Sequence, residues 1–170
     1  MAFEEEIIKE LKSNRMVFKN LLLKVPKEMI NWRNHPLRWS LLEIVCHIHD
    51  EEKEDFRARV RSVLNDPNQA LTSIDPQGWV QKREYAKQDY DLMLFKFLMQ
   101  RKVSIEWLES LENPKWGNTF THPSLGNMSA RLFLANWLAH DHLHFRQITK
   151  LKFDFLKENS DQDLSYAGSW

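Results

Sequence analysis

Seven side chains near the end of the chain, Phe133, Trp137, His140, His144, Ile148, Leu151 and Phe155, are spaced by 4, 3, 4, 4, 3 and 4 residues. A helix turning once every 3.6 residues puts all seven on one face, so the spacing predicts a long helix from about Ser129 to Leu156 with one buried side. An apolar stripe of that length has to be covered by other secondary structure. The rest of the sequence supplies helices to do it. Ile7, Leu11, Phe18, Leu22 and Val25 share a face between Phe3 and Val25. Ser40 with Glu43 three residues on is a reciprocal capping box, which opens a helix running to about Leu64 with Ile44, Val45, Ile48, Phe56, Val60 and Val63 on a broad apolar side. Asp89 is a plausible N-cap for a third helix to Leu111, with Tyr90, Leu94, Phe97, Leu108 and Leu111 in register.

Three stretches rich in proline and glycine separate these segments: Pro26 to Pro36, Asp66 to Gly78, and Asn113 to Gly126. A short extra helix is expected over Asp75 to Tyr85. With Gly at only 4 of 170 positions, the chain favours long helices with short punctuation. The predicted fold class is all-α, a four-helix bundle over residues 1–156. Residues 157–170 form a polar tail. Leu164, Tyr166 and Trp170 interrupt its polarity at intervals, so docking and fraying are both open to it.

Charge removes several functions. Twenty-four basic side chains balance 24 acidic ones, which leaves no electrostatic footprint for a nucleic acid. No run approaches 18 apolar residues, so no spanning helix is expected, and the acidic start Glu4-Glu5-Glu6 is unlike a signal peptide. A single cysteine, Cys46, makes no internal disulfide, which fits a reducing cytoplasm.

The chemistry concentrates in His140-Asp141-His142-Leu143-His144. On a helix, His140 and His144 stack at i and i+4 while His142 points nearly the opposite way. Two imidazoles so placed form a two-tooth chelate for one metal ion. Both interrupt the apolar stripe, so they point into the bundle, where unpartnered polar groups are costly. Hydrogen bonds to other helices would satisfy them as well as a metal. A third ligand is best supplied by His47, two turns into the second helix beside Ile44 and Ile48. Cys46 and His49 are rotated away, Cys46 toward the core and His49 toward solvent. His35 and His122 lie in loops beside prolines, and His142 is expected at the surface.

Trp39-Ser40-Leu41-Leu42-Glu43 leading to His47 and Asp50, with His140-Asp141-His142-Leu143-His144-Phe145-Arg146-Gln147-Ile148 far downstream, resembles the DinB and DinB-like (YfiT-type) superfamily. Trp79-Val80 before Arg83 and Tyr85, Phe97 with Arg101, and His122-Pro123 with Gly126 fit the same pattern. The resemblance spans roughly Phe3 to Phe155. It implies a bundle with a non-simple helix connection order. It also implies one divalent metal per chain on three histidines, which carry over to His47, His140 and His144, and homodimers are common in the family. Zinc or nickel suits imidazole best, and iron and manganese are compatible.

Two kinds of function follow as expectations. One is a metal-dependent enzyme acting on a small molecule, either a hydrolase that activates water or an S-transferase using an external low-molecular-weight thiol. The other is a non-catalytic bundle that binds a metal or small ligand in stress response. Glu51, at i+4 from His47, is the candidate general base, although a solvated ion pair is the commoner fate of such a carboxylate. Asp141 is expected at the surface or behind a ligand, Gln147 near the inner stripe, and Arg101 in an ion pair inside the bundle. Most of the tryptophans are expected to fill the core and the undersides of loops.

Overall fold

The computed structural model describes residues 2–168. Helix α1 spans Phe3–Leu22, and a single turn, α2, spans Lys27–Ile30. The second long helix is composite: α3 (Leu41–Asp50), a π-helical turn (Glu51–Phe56) and α4 (Arg57–Asn65). A short helix, α5 (Pro76–Lys82), follows as expected, then α6 (Tyr90–Glu109) and α7 (Ala130–Asn159). The starts are capped as the sequence indicated. Ser40 and Glu43 form the reciprocal box, and Asp89 accepts from the Leu92 amide at 2.7 Å.

One feature is additional to an all-helical reading. In the third connection, β1 (Thr119–His122) pairs antiparallel with β2 (Gly126–Ser129). Gly126 takes the positive φ, 73°, that turns this hairpin. His122 accepts the Ser124 and Leu125 amides at 3.1 Å each. At the far end, α7 continues three residues past Leu156. In the tail Tyr166 is fully exposed, Leu164 is half-buried, and Trp170 lies outside the described residues.

The connection order is not up-down-up-down. Helices α1 and α6 pack together, α1 packs on α7, α3 packs on α6 and α4 on α7. So α1 sits diagonally from the composite helix that follows it, and α6 diagonally from α7.

The π turn has a reason in the spacing. Ile44, Ile48, Glu52, Phe56 and Val60 are all four apart and all buried. At the α-helical angle of about 100° per residue, sixteen residues between Ile44 and Val60 would rotate them about 160° apart. Widening one turn absorbs roughly one residue and returns Phe56, Val60 and Val63 to the core. Where the widened turn begins, one turn on from His47 and Ile48, two consecutive carboxylates, Glu51 and Glu52, point inward and are buried.

Those carboxylates belong to a polar layer between two apolar clusters. One cluster gathers Phe18, Leu22, Ile44, Leu94, Phe97 and Ile148; the other gathers Ile7, Leu11, Phe56, Val60, Phe133 and Trp137. Between them lies Arg101, 2% exposed. It donates to both Asp141 oxygens at 2.7 Å and to both Glu52 oxygens at 3.0 Å. Asn14 donates to Asp141 at 3.0 Å, and Trp137 Nε1 to Glu52 at 2.9 Å. All four long helices therefore meet in one hydrogen-bonded group. Buried charges survive only with partners of this quality.

Candidate metal centre

Beside this layer the structure brings together His47, from α3, and His140 and His144, one turn apart on α7. Their ligand nitrogens all lie within 4.8 Å of one another. His140 Nε2 is 3.3 Å from His47 Nε2 and 3.0 Å from His144 Nε2. Ring packing fixes the trio. Trp39 lies against His47 at 4.6 Å between centroids, and Phe56 against His140 at 4.9 Å.

Three Nε2 atoms at these separations do not satisfy one another. The His140 Nε2 carries either one proton or one lone pair, so it makes one full hydrogen bond and leaves the second neighbour without one. Extra protons do not relieve this. Burial first, then the charge of His144, lowers His47 to about 3. Burial, then His144, His47 and Arg101, lowers His140 to about 2. Burial lowers His144 to about 4, with Gln147 and Asp141 partly offsetting it. The rings are neutral, and a single cation facing all three lone pairs would resolve the conflict. Nδ1 of both His47 and His144 is buried with no hydrogen-bond partner among the described residues. Nothing on the far side of the His47 ring fixes its tautomer, so what its Nε2 faces decides it. The residues fit a divalent metal.

The pH dependence of the metal-free fold follows. Each imidazole would take a proton near 6.5 when unfolded but only at about 2 to 4 when folded, so its contribution is lost as pH falls below about 6.5. Glu51 and Asp55 act oppositely. Both are raised, chiefly by burial, so they favour the fold at low pH and lose that contribution as pH rises. Three imidazoles outnumber two carboxylates. Metal-free protein is expected to have a lower urea midpoint at pH 5 than at pH 7, and an unchanged or higher midpoint at pH 5 would contradict this burial of the trio.

Other sequence candidates fall as follows. His142 is exposed and 3.3 Å from Glu10, and His35 is exposed in its loop. Cys46 is fully buried, its thiol pushed up to about 12 by burial and by Asp50 and Glu43. The expectation that His49 is solvated is corrected: its side chain is 14% exposed and 2.8 Å from Asp50, because Asp50 turns inward to accept Tyr85 Oη at 2.6 Å and to pair with Arg83 at 2.7 Å. Asp141 is likewise not at the surface but 1% exposed, held by Arg101.

Glu51 is 5% exposed, and its Oε2 is 3.9 Å from His140 Nε2. Burial, then the Asp55 carboxylate, pushes it well above the usual carboxylate range, and Asp55 is ion-paired with Arg59. Sequence reasoning missed Asn14, although it falls between Leu11 and Phe18 in the α1 stripe and so had to be a buried polar group. It also missed Glu52, although Glu52 follows Ile44 and Ile48 at four-residue steps.

The centre is not sealed. The His140 side chain is 20% exposed, and His144 lines a cavity of about 460 Å3 between α7 and the loop before α3. Among the described residues no fourth histidine, cysteine or carboxylate joins the trio. Three imidazoles beside a cavity would leave an ion held by them a position open to a small molecule.

The sequence model of the DinB superfamily matches residues 10–148. Among solved structures, YfiT from Bacillus subtilis is similar, with a TM-score of 0.79 at 16% identity, over 91% of this chain and 90% of that one. That protein is described as "a probable metal-dependent hydrolase with an unusual four-helix bundle topology". The likeness shows the shared fold and helix order. No curated protein matches the chain in sequence.

Proposed function

This chain belongs to the DinB superfamily, and on that premise we propose that it is a metal-dependent hydrolase of a small molecule, with one divalent ion on His47, His140 and His144. The observation that carries the reading is the convergence of three neutral imidazole Nε2 atoms, two of them on buried residues, that cannot all satisfy one another. The description of YfiT as a metal-dependent hydrolase supports it at the level of the fold. Zinc and nickel suit three imidazoles best. When bound, such an ion polarises an electrophile and makes a water or thiol beside it more acidic.

The chain's own residues do the rest. Trp39 and Phe56 hold two of the imidazole rings in place. Glu51, buried beside His140, is placed to accept a proton from the attacking group at Oε2 and return it to the leaving group. Asp55, paired with Arg59, stands behind Glu51. A nearby divalent charge favours the carboxylate form of Glu51 and so readies it as a base.

Elemental analysis of untagged protein purified without added metal tests the reading. About one zinc, nickel, iron or manganese per chain is expected. An empty protein that also fails to bind these ions tightly when they are added would leave the trio as core histidines. Glu51→Gln is expected to keep the ion while lowering hydrolysis about 10²- to 10⁴-fold. A variant with full activity would remove Glu51 from the reaction.

A second reaction at the same centre would be a thiol transfer, and Cys46 bears on where its thiol comes from. Cys46 is buried with its thiol held protonated, so a thiolate nucleophile would have to come from outside. In that case a low-molecular-weight thiol gives its proton to Glu51, and its sulfur bonds to the electrophile as the leaving group departs. Turnover that depends on added thiol, rather than on water alone, distinguishes the two.

A further inference from the structure

The cavity that reaches the trio is charged in a way the chain as a whole is not. The chain has no net charge, yet the cavity walls carry Arg38, Arg146 and Lys150 and no carboxylate. Lys150 is paired with Asp154 across one helical turn. Arg38 and Arg146 make no ion pair and no side-chain hydrogen bond among the described residues. The chain's other arginines are engaged, in ion pairs or hydrogen bonds, or in one case stacked on Trp107. Two guanidinium groups left without acceptors at the mouth of one cavity form a site for an anion, since the fork of N–H donors matches a carboxylate or phosphate.

The cavity is tied to the trio at both ends. Arg38 directly precedes Trp39, whose ring packs on His47, and Arg146 lines the same cavity as His144, from the other edge of the α7 face it covers. Trp39, Leu143 and Leu151 give the rest of the wall an apolar part able to contact a short carbon skeleton, beside His144 and the polar Asn34 and Gln147. A volume of about 460 Å3 suits a small molecule rather than a polymer.

We infer that the substrate carries an anionic group, a carboxylate or a phosphate, held by Arg38 and Arg146 while its other end reaches the imidazoles at His144. This inference takes the direction of the substrate from the metal-enzyme reading above, but the anion site itself does not depend on it. Both arginines are solvent-exposed, so they set recognition of the substrate rather than stability of the fold.

Titration calorimetry with two probes, glutarate and inorganic phosphate, tests this on the full chain. The series comprises the wild type, Arg38→Gln and Arg146→Gln, with metal content measured on each sample. Saturable binding of at least one probe to the wild type is expected, weakened at least about tenfold in each variant, with unchanged metal content and urea midpoint. The preferred probe identifies the anionic group as carboxylate or phosphate. No saturable binding of either probe to the wild type, or equal binding by wild type and both variants, overturns the inference; the second result means the anion sits on the metal. Repeating the titration after chelation separates the two readings. Arginine-dependent binding to protein that never holds a metal keeps the anion site and ends the metal-enzyme reading. One metal per chain without arginine-dependent binding does the reverse.

Discussion

His144→Ala is expected to reduce bound divalent metal from about one per chain to none detectable by elemental analysis, while His142→Ala retains it in full. The two positions are two residues apart on one helix, but α7 turns them to nearly opposite sides. His144 Nε2 meets the Nε2 of His140 at 3.0 Å inside the bundle, whereas His142 is 53% exposed beside Glu10. Removing His144 leaves two imidazoles. Loss of a partner merely behind a ligand typically weakens metal binding 10- to 100-fold, so loss of a ligand itself should cost more. The His144 side chain is buried, so circular dichroism and a urea midpoint should accompany the measurement to show a folded variant. Full occupancy in folded His144→Ala would remove the trio as the metal site. Loss of metal in His142→Ala would contradict the orientation of α7.

Arg101→Met should be the most destabilising single change in the molecule, by about 3–5 kcal/mol. Methionine fills much of the volume but leaves Glu52 and Asp141, 1% exposed each, as two buried carboxylates with no cation. Folded domains are stable by only about 5–15 kcal/mol, so the loss is a large fraction of the total and should lower the urea midpoint steeply. Adding Glu52→Gln and Asp141→Asn to Arg101→Met should recover part of it, because the amides keep the shape and the hydrogen-bonding atoms without buried charge. A loss below about 1 kcal/mol in the single variant, or no recovery in the triple one, would mean that the layer is not the charged keystone its geometry indicates. Metal content of the recovered triple variant separates a structural layer from one that also sets the field at the trio, since Arg101 and Asp141 act on the imidazoles from behind.

Much of this was legible along the chain because helices encode their faces locally. The stripe from Phe133 to Phe155 fixed the phase of α7, and with it which histidines of the His140–His144 segment point inward. Ser40 with Glu43, and Asp89, marked helix starts through hydrogen bonds that close within one turn. His47 was the candidate beside Ile44 and Ile48, and its ring does meet the other two. The hairpin at Thr119–Ser129 was less visible, since four-residue strands leave too short a pattern to separate from a loop.

The remaining decisions were made between helices. Glu51 and Glu52 follow His47 and Ile48 by four residues each, so α3 itself points both inward; what no short pattern showed was the π turn that follows, which returns Phe56 and Val60 to the core. The turn exists because the residues before and after it must pack against the same neighbours. Asp141 follows Trp137 by four residues and precedes Ile148 by seven, so it shares their inner face, but only packing brings Arg101 from α6 to meet it there. His49 is drawn out of solvent by Asp50, which is itself held by Tyr85 and Arg83 from a distant connection. Local periodicity, acting over three or four residues, determined which faces are apolar and where the imidazoles sit on them. Which face meets which partner, and which charges are thereby buried, depends on groups about 30 to 130 residues apart in sequence, and only packing of the whole chain decided it.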